Sequence, residues 1–143
     1  MSARSRFARA NLDRAKIPEG VGFAAASAPH AREIRDALAR AKARLDTLDY
    51  YPEPVRIERV RIRVVPWFFR IPGFRRYHGY AFWRTILLKY ADTPDDLITH
   101  ELCHVWQGQH RVLDMSWKHI TTRYRSNPYE IEARRAVVET RAQ

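Results

Sequence analysis

Asp92-Thr93-Pro94-Asp95-Asp96-Leu97-Ile98-Thr99-His100-Glu101-Leu102-Cys103-His104-Val105-Trp106 begins as a helix start and ends as a helix face carrying two imidazoles. Thr93 can cap, Pro94 suits the first helical position because an N–H there has no helical partner to lose, and Asp96 stands three residues past the cap. The pattern predicts a helix from Thr93 to about Gln109. On it Ile98, Leu102, Val105 and Trp106 share one apolar stripe, and His100 and His104 fall on nearly the opposite side. Four residues rotate a helix by about 400° and advance it by about 6 Å, so the two rings lie one above the other and can reach a single ion. Glu101 sits one step around, near enough to meet an ion-held water but turned too far to be a natural ligand itself. His100-Glu101-Leu102-Cys103-His104 is thus an HExxH motif in the helical context its chemistry requires. Cys103 falls away from both imidazoles and reads as packing behind the helix.

Two histidines leave a catalytic metal site one protein ligand short. His110, six residues past His104, has the metzincin offset, but Gly108 comes one position late for the glycine of that pattern and Met115 follows too soon. His119 lies fifteen past His104. Asn127-Pro128-Tyr129-Glu130-Ile131-Glu132-Ala133-Arg134 opens a last helix, expected from Pro128 to about Arg141, and a carboxylate from it would give a His₂Glu set. Glu130 is one such carboxylate. Asn127, Pro128 and Glu130 also spell a capping box, and if Glu130 only caps, Glu132 takes its place as ligand. A Trp117 to Arg125 helix is expected between the two.

Upstream, Ser27 can cap a helix whose apolar residues Ile34, Leu38, Ala41, Leu45 and Leu48 recur every three or four positions over about five turns. Its Arg35, Arg40, Lys42 and Arg44 read as a solvated face, with an anion-binding surface as the alternative. Pro52 and Pro54 end the helical region, and Val55-Arg56-Ile57 and Val60-Arg61-Ile62-Arg63-Val64 alternate as strands do. The phase slips between Ile57 and Val60, which calls for a bulge or a turn near Glu58-Arg59. Trp67 to Phe74 is an aromatic loop, expected to pack, although its interleaved arginines could also stack on bases. Arg76 to Gly79 and Tyr80 to Lys89 read as two further strands, which makes the chain α+β.

HELCHVWQ followed by NPYEIEAR resembles the gluzincin group of metallopeptidases, most of all the compact minigluzincins, in which a Glu-x-x-Ala on the helix after HExxH supplies the third ligand; Glu130 to Ala133 matches that spacing. A weaker resemblance to SprT-type proteins rests on His119. The gluzincin resemblance spans roughly residues 76 to 140. It implies a small zincin-like domain over residues 27–143, after a basic tail at 1–26: an N-terminal helix, a three- to four-stranded sheet, the HExxH helix and a C-terminal ligand helix. It implies zinc on His100, His104 and Glu130, with Glu101 as general base in hydrolysis of a peptide bond. The strand from Tyr80 to Lys89 would be the sheet edge on which an extended peptide adds. His119, Arg123 and Tyr124 are the polar residues that could steady an oxyanion, and the sequence does not choose among them.

At 143 residues the chain suits one domain with one core. A lone cysteine, Cys103, excludes an internal disulfide and fits a reducing, cytoplasmic setting. No apolar run reaches the roughly 20 residues of a membrane span. Residues 1–16, rich in Arg, suit a basic arm better than an organellar presequence. The formal charge of +10 attracts nucleic acid, anionic surfaces or acidic polypeptides alike. Peptide or protein substrate is the first expectation. The alternative from another class is a nucleic-acid-associated module with a structural or vestigial zinc, and a third is a degenerate peptidase kept as a partner-binding domain.

Overall fold

Leu38, Ala41 and Leu45 lie on one stripe of helix α1 (Ala28–Leu45), and their burial fixes it against the rest of the chain. The computed structural model, which describes residues 28–121 and 123–141, sets this helix beside three short strands, β1 (Arg61–Val64), β2 (Gly79–Phe82) and β3 (Thr85–Leu88), and two further helices, α2 (Asp95–Thr121) and α3 (Pro128–Arg141). The architecture is α+β with a small mixed sheet. The tail at 1–26 and the Ser27 cap lie outside the described residues. No helix among the described residues is long and apolar enough to cross a membrane.

The strand order is β1-β3-β2, with β1 parallel and β2 antiparallel to β3. Opposed residues share a face, so Ile62, Val64, Ile86, Leu88, Ala81 and Gly79 look toward the helices, and Ile86, Leu88, Leu102, Val105 and Trp106 join α1 in one core. α2 packs against α1, α3 and β2, which places its histidine face between the edge strand and the last helix. Cys103 is fully buried in the core, as its position on the wheel requires, and burial pushes its thiol pKa up.

Several expectations need correction. Tyr80 to Lys89 is not one strand but a hairpin that reverses at Trp83-Arg84 and continues as β3; Trp83 takes φ 55, which bulky residues seldom adopt. β3 is therefore the central strand, and β2 alone is the edge beside α2. Arg76 to His78 is turn rather than strand, and Val55-Arg56-Ile57 is irregular, leaving Arg61–Val64 as the paired segment. The phase slip is a turn, closed by the Val60 N–H donating to the Ile57 carbonyl at 3.0 Å. α2 does not stop at Gln109: it bends at Arg111 (φ −139, ψ 44) and runs on to Thr121, absorbing the start of the helix expected at Trp117. Thr93 donates its hydroxyl back to the Tyr90 carbonyl, and the Pro94 carbonyl accepts the first helical bonds, from Leu97 and Ile98.

The basic side of α1 is less solvated than expected. Arg40 forms a two-pronged pair with Asp95 (2.7 and 3.0 Å), and Arg44 reaches Asp96 (2.9 Å), Thr140 and the Val137 carbonyl, linking all three helices at the start of α2. The aromatic loop packs in part as expected, with Phe69 buried and Phe68 against Phe74 and Tyr80, whereas Trp67 and Ile71 are exposed.

Candidate metal centre

Asn127 is the cap of α3: its side-chain oxygen accepts from the Tyr129 N–H (3.0 Å) and its carbonyl from the Ile131 N–H (3.1 Å). With the cap made there, the Glu130 carboxylate turns toward α2. Its Oε1 stands 2.9 Å from His104 Nε2 and its Oε2 3.3 Å from His100 Nε2, while the two Nε2 atoms are 3.2 Å apart. For a metal–ligand distance of about 2.0–2.1 Å, tetrahedral ligand atoms stand about 3.3 Å apart, close to each of these separations.

Lone pairs so close repel unless a cation lies among them. Gln107 fixes the tautomer: its Nε2 donates to the Tyr129 carbonyl (2.9 Å), so its Oε1 faces His104 Nδ1 (2.7 Å) and must accept a proton from it. The His104 Nε2 lone pair then points to His100 and Glu130, the state a metal ligand needs. Without a metal, a proton can serve. Burial works against the imidazolium of His104, but Glu130 overrides it and raises the pKa. Burial likewise opposes the charge on Glu130, and the two imidazoles override it, holding the carboxyl well below its usual range. Glu130 Oε2 is buried and its polar neighbour, His100 Nε2 at 3.3 Å, is not aligned for a good hydrogen bond, which leaves an acceptor open to a ligand. The donor set fits a divalent cation on His100, His104 and Glu130.

Glu101 is buried under the edge strand. Lys89 N–H donates to the His78 carbonyl (2.9 Å), so by alternation Tyr80 and Phe82 carry the ladder bonds to β3 and Ala81 turns its N–H outward, where it meets the Glu101 carboxylate. Burial raises the pKa of Glu101 and neighbouring Glu130 adds to the rise, while the imidazoles and the Ala81 N–H pull it down; the net direction is up. Gly79 is the close approach: a Cβ built there would lie 3.0 Å from Glu101 Oε1 and 3.2 Å from its carboxyl carbon. Gly79→Ala is expected to displace the Glu101 carboxylate from the Ala81 N–H while zinc affinity is kept. A crystal structure of the variant beside zinc titration checks it; a carboxylate left in place would mean that Gly79 does not set its position.

The other ligand candidates lie elsewhere. Glu132 accepts from the Tyr51 hydroxyl (2.6 Å) and approaches Gln107 Nε2 (3.4 Å), so it braces the amide that orients His104 and is not in the cluster. His110 stacks on Tyr51, with ring centroids 5.0 Å apart. The side chains of His119 and Tyr124 lie outside the described residues, and Arg123 is exposed. The brace of Gln107, Glu132 and Tyr51 was missed from the sequence, although Gln107 stands one turn past His104 on the same face. Gln107→Leu is expected to weaken zinc binding by about 10–100-fold, the usual effect of removing such a partner. Competition with a chromogenic chelator measures it, and unchanged affinity would remove Gln107 from the site.

Comparison with known proteins finds no matching family model, no matching curated protein and no matching solved structure. The functional reading therefore rests on this site's own chemistry.

Proposed function

We propose that this chain is a zinc-dependent peptidase with a zincin-like domain of gluzincin type. The observation that carries the proposal is the convergence of His100, His104 and Glu130 within 2.9–3.3 Å of one another, with a second carboxylate, that of Glu101, buried beside them. Zinc held by the three donors supplies Lewis acidity, acidifying water and polarising a carbonyl.

The chain's own groups do the rest. Glu101, held against β2 by the Ala81 N–H, takes a proton from the attacking water and returns it to the leaving amine. Burial raises its pKa, which favours holding the proton until it passes to the leaving amine. Gln107 keeps the proton of His104 on Nδ1 throughout, and β2, as the edge strand, offers an extended peptide the outward main-chain groups that Glu101 does not occupy. A structural metal would have no use for a buried base at Glu101, which weighs against the nucleic-acid-associated module. The buried thiol of Cys103 fits a reducing, cytoplasmic compartment.

Metal removal tests the proposal. Purified protein loaded with zinc should cleave members of a quenched fluorogenic peptide library, lose that activity to a chelator and regain it with added zinc. Cleavage indifferent to chelation, or none from the zinc-loaded protein, would contradict it.

A further inference from the structure

Several arginines on the helices are paired, Arg40 with Asp95, Arg44 and Arg141 with Asp96, and Arg135 with Glu139, whereas Arg32 and Arg35 of α1 are exposed. Those around one groove are not paired. The groove, of about 730 Å³, runs along α2 from His104 and is rimmed by Arg56, Arg59 and Arg84, with Glu58 and Trp83. All three arginines are exposed, and among the described residues none of their guanidiniums takes part in an ion pair or a side-chain hydrogen bond. A second, shallower depression continues past Arg59 and Arg84 to Arg61.

The backbone beneath these side chains is held. Gln109 brackets the main chain of Arg56, accepting from its N–H (3.0 Å) and donating to its carbonyl (2.7 Å). Arg59 rides the turn closed between Val60 and Ile57, and the Arg84 carbonyl accepts from the Arg61 N–H at 2.8 Å. Trp83, 72% exposed and at φ 55, supplies an apolar wall at the turn that delivers Arg84. The result is a concave surface with anchored bases, free cationic heads and an excess of two positive charges once Glu58 is counted against the three arginines.

We infer that this groove binds an acidic side chain of the substrate, a Glu or Asp close to the bond that is cut. A cleft lined by one sign of charge focuses the field and concentrates the opposite charge, and the guanidinium fork matches a carboxylate with two parallel bonds. His104 and Ala81, whose N–H meets Glu101, both line the groove, so a side chain seated in it lies next to two residues that adjoin the proposed reacting centre. A nucleic-acid strand suits it less, since Glu58 interrupts the cationic track and Trp83 alone offers a stacking surface on the rim. The position of the acidic residue relative to the cleaved bond rests on the peptidase reading; anion binding by the groove does not.

Two measurements keep those claims apart. In the first, zinc-loaded Glu101→Gln protein is titrated with fluorescein-labelled hexaglutamate, hexaserine and a ten-residue oligothymidylate, read by anisotropy. Hexaglutamate should bind roughly tenfold more tightly than either of the others, and Arg59→Glu/Arg84→Glu should abolish that margin. The charge-matched control Arg32→Glu/Arg35→Glu, on the exposed face of α1, should keep it. In the second, mass spectrometry of a combinatorial peptide library digested by the wild type should show Glu or Asp enriched within about three residues of the cut, and the Arg59/Arg84 variant should lose that enrichment. Tighter binding of the oligothymidylate, a margin that survives Arg59→Glu/Arg84→Glu, or cleavage with no acidic preference would each overturn the inference. Hexaglutamate binding with the expected variant response, but no cleavage of any peptide, would uphold the groove and overturn the peptidase reading.

Discussion

Glu101→Gln is expected to lower peptide hydrolysis by about 10²–10⁴-fold, the span that general-base catalysis contributes, with the zinc content of the protein unchanged. The amide keeps the shape of the carboxylate and can still accept from the Ala81 N–H, so neither the buried site nor the packing under β2 is disturbed. What is lost is the capacity to take a proton. His100, His104 and Glu130 remain the donor set, so metal binding and catalysis come apart in this variant. Kinetics with metal analysis on the same sample checks it; activity within a few-fold of the wild type would remove Glu101 from the chemistry.

Glu130→Ala should do the reverse of leaving the metal alone. It deletes one of three donors, so zinc affinity should fall by more than the about 10–100-fold of an outer-shell change, and hydrolysis should fall with it. Breaking a buried ion pair costs about 3–5 kcal/mol when it strands a charge, but His104 can shed its proton once Glu130 is gone. The metal-free variant should therefore be destabilised by less than that. Glu132→Gln is the comparison: it disturbs the hydrogen bond from Tyr51 and the approach of Gln107, leaves all three donors and should lower zinc affinity by no more than about tenfold. A chelator competition titration on both variants checks the pair, and equal effects would return the ligand question to Glu132.

Most of the site was readable in the sequence because it depends on local helix geometry. The four-residue step from His100 to His104 and the cap at Asn127 are short-range facts, and they placed two imidazoles on one face and a carboxylate at the start of the next helix. Whether Glu130 caps or reaches across was not readable, since either use satisfies the same residue pattern; packing of α3 against α2 decides it. Tyr80 to Lys89 misled for a clear reason. The run is rich in β-formers and Trp83-Arg84 has none of the Gly, Asn or Asp that mark a two-residue hairpin turn, so nothing in the composition signals the reversal. The continuation of α2 was hidden because Gly108 reads as a helix stop, whereas the chain only bends at Arg111 and stays helical to Thr121. Gly79 did carry a signal: an isolated glycine in a strand often marks a close approach, here that of the Glu101 carboxylate. The arginine groove depends on bringing Arg56, Arg59 and Arg84 to one side of His104, which only the sheet and its turns accomplish.

The most direct test of the metal centre is an anomalous difference map from crystals grown with zinc, collected above and below the zinc edge. One peak within about 2.0–2.2 Å of His100 Nε2, His104 Nε2 and a Glu130 oxygen is the expected result. A peak on other residues, or none between those three side chains in crystals that hold zinc elsewhere, would contradict the account.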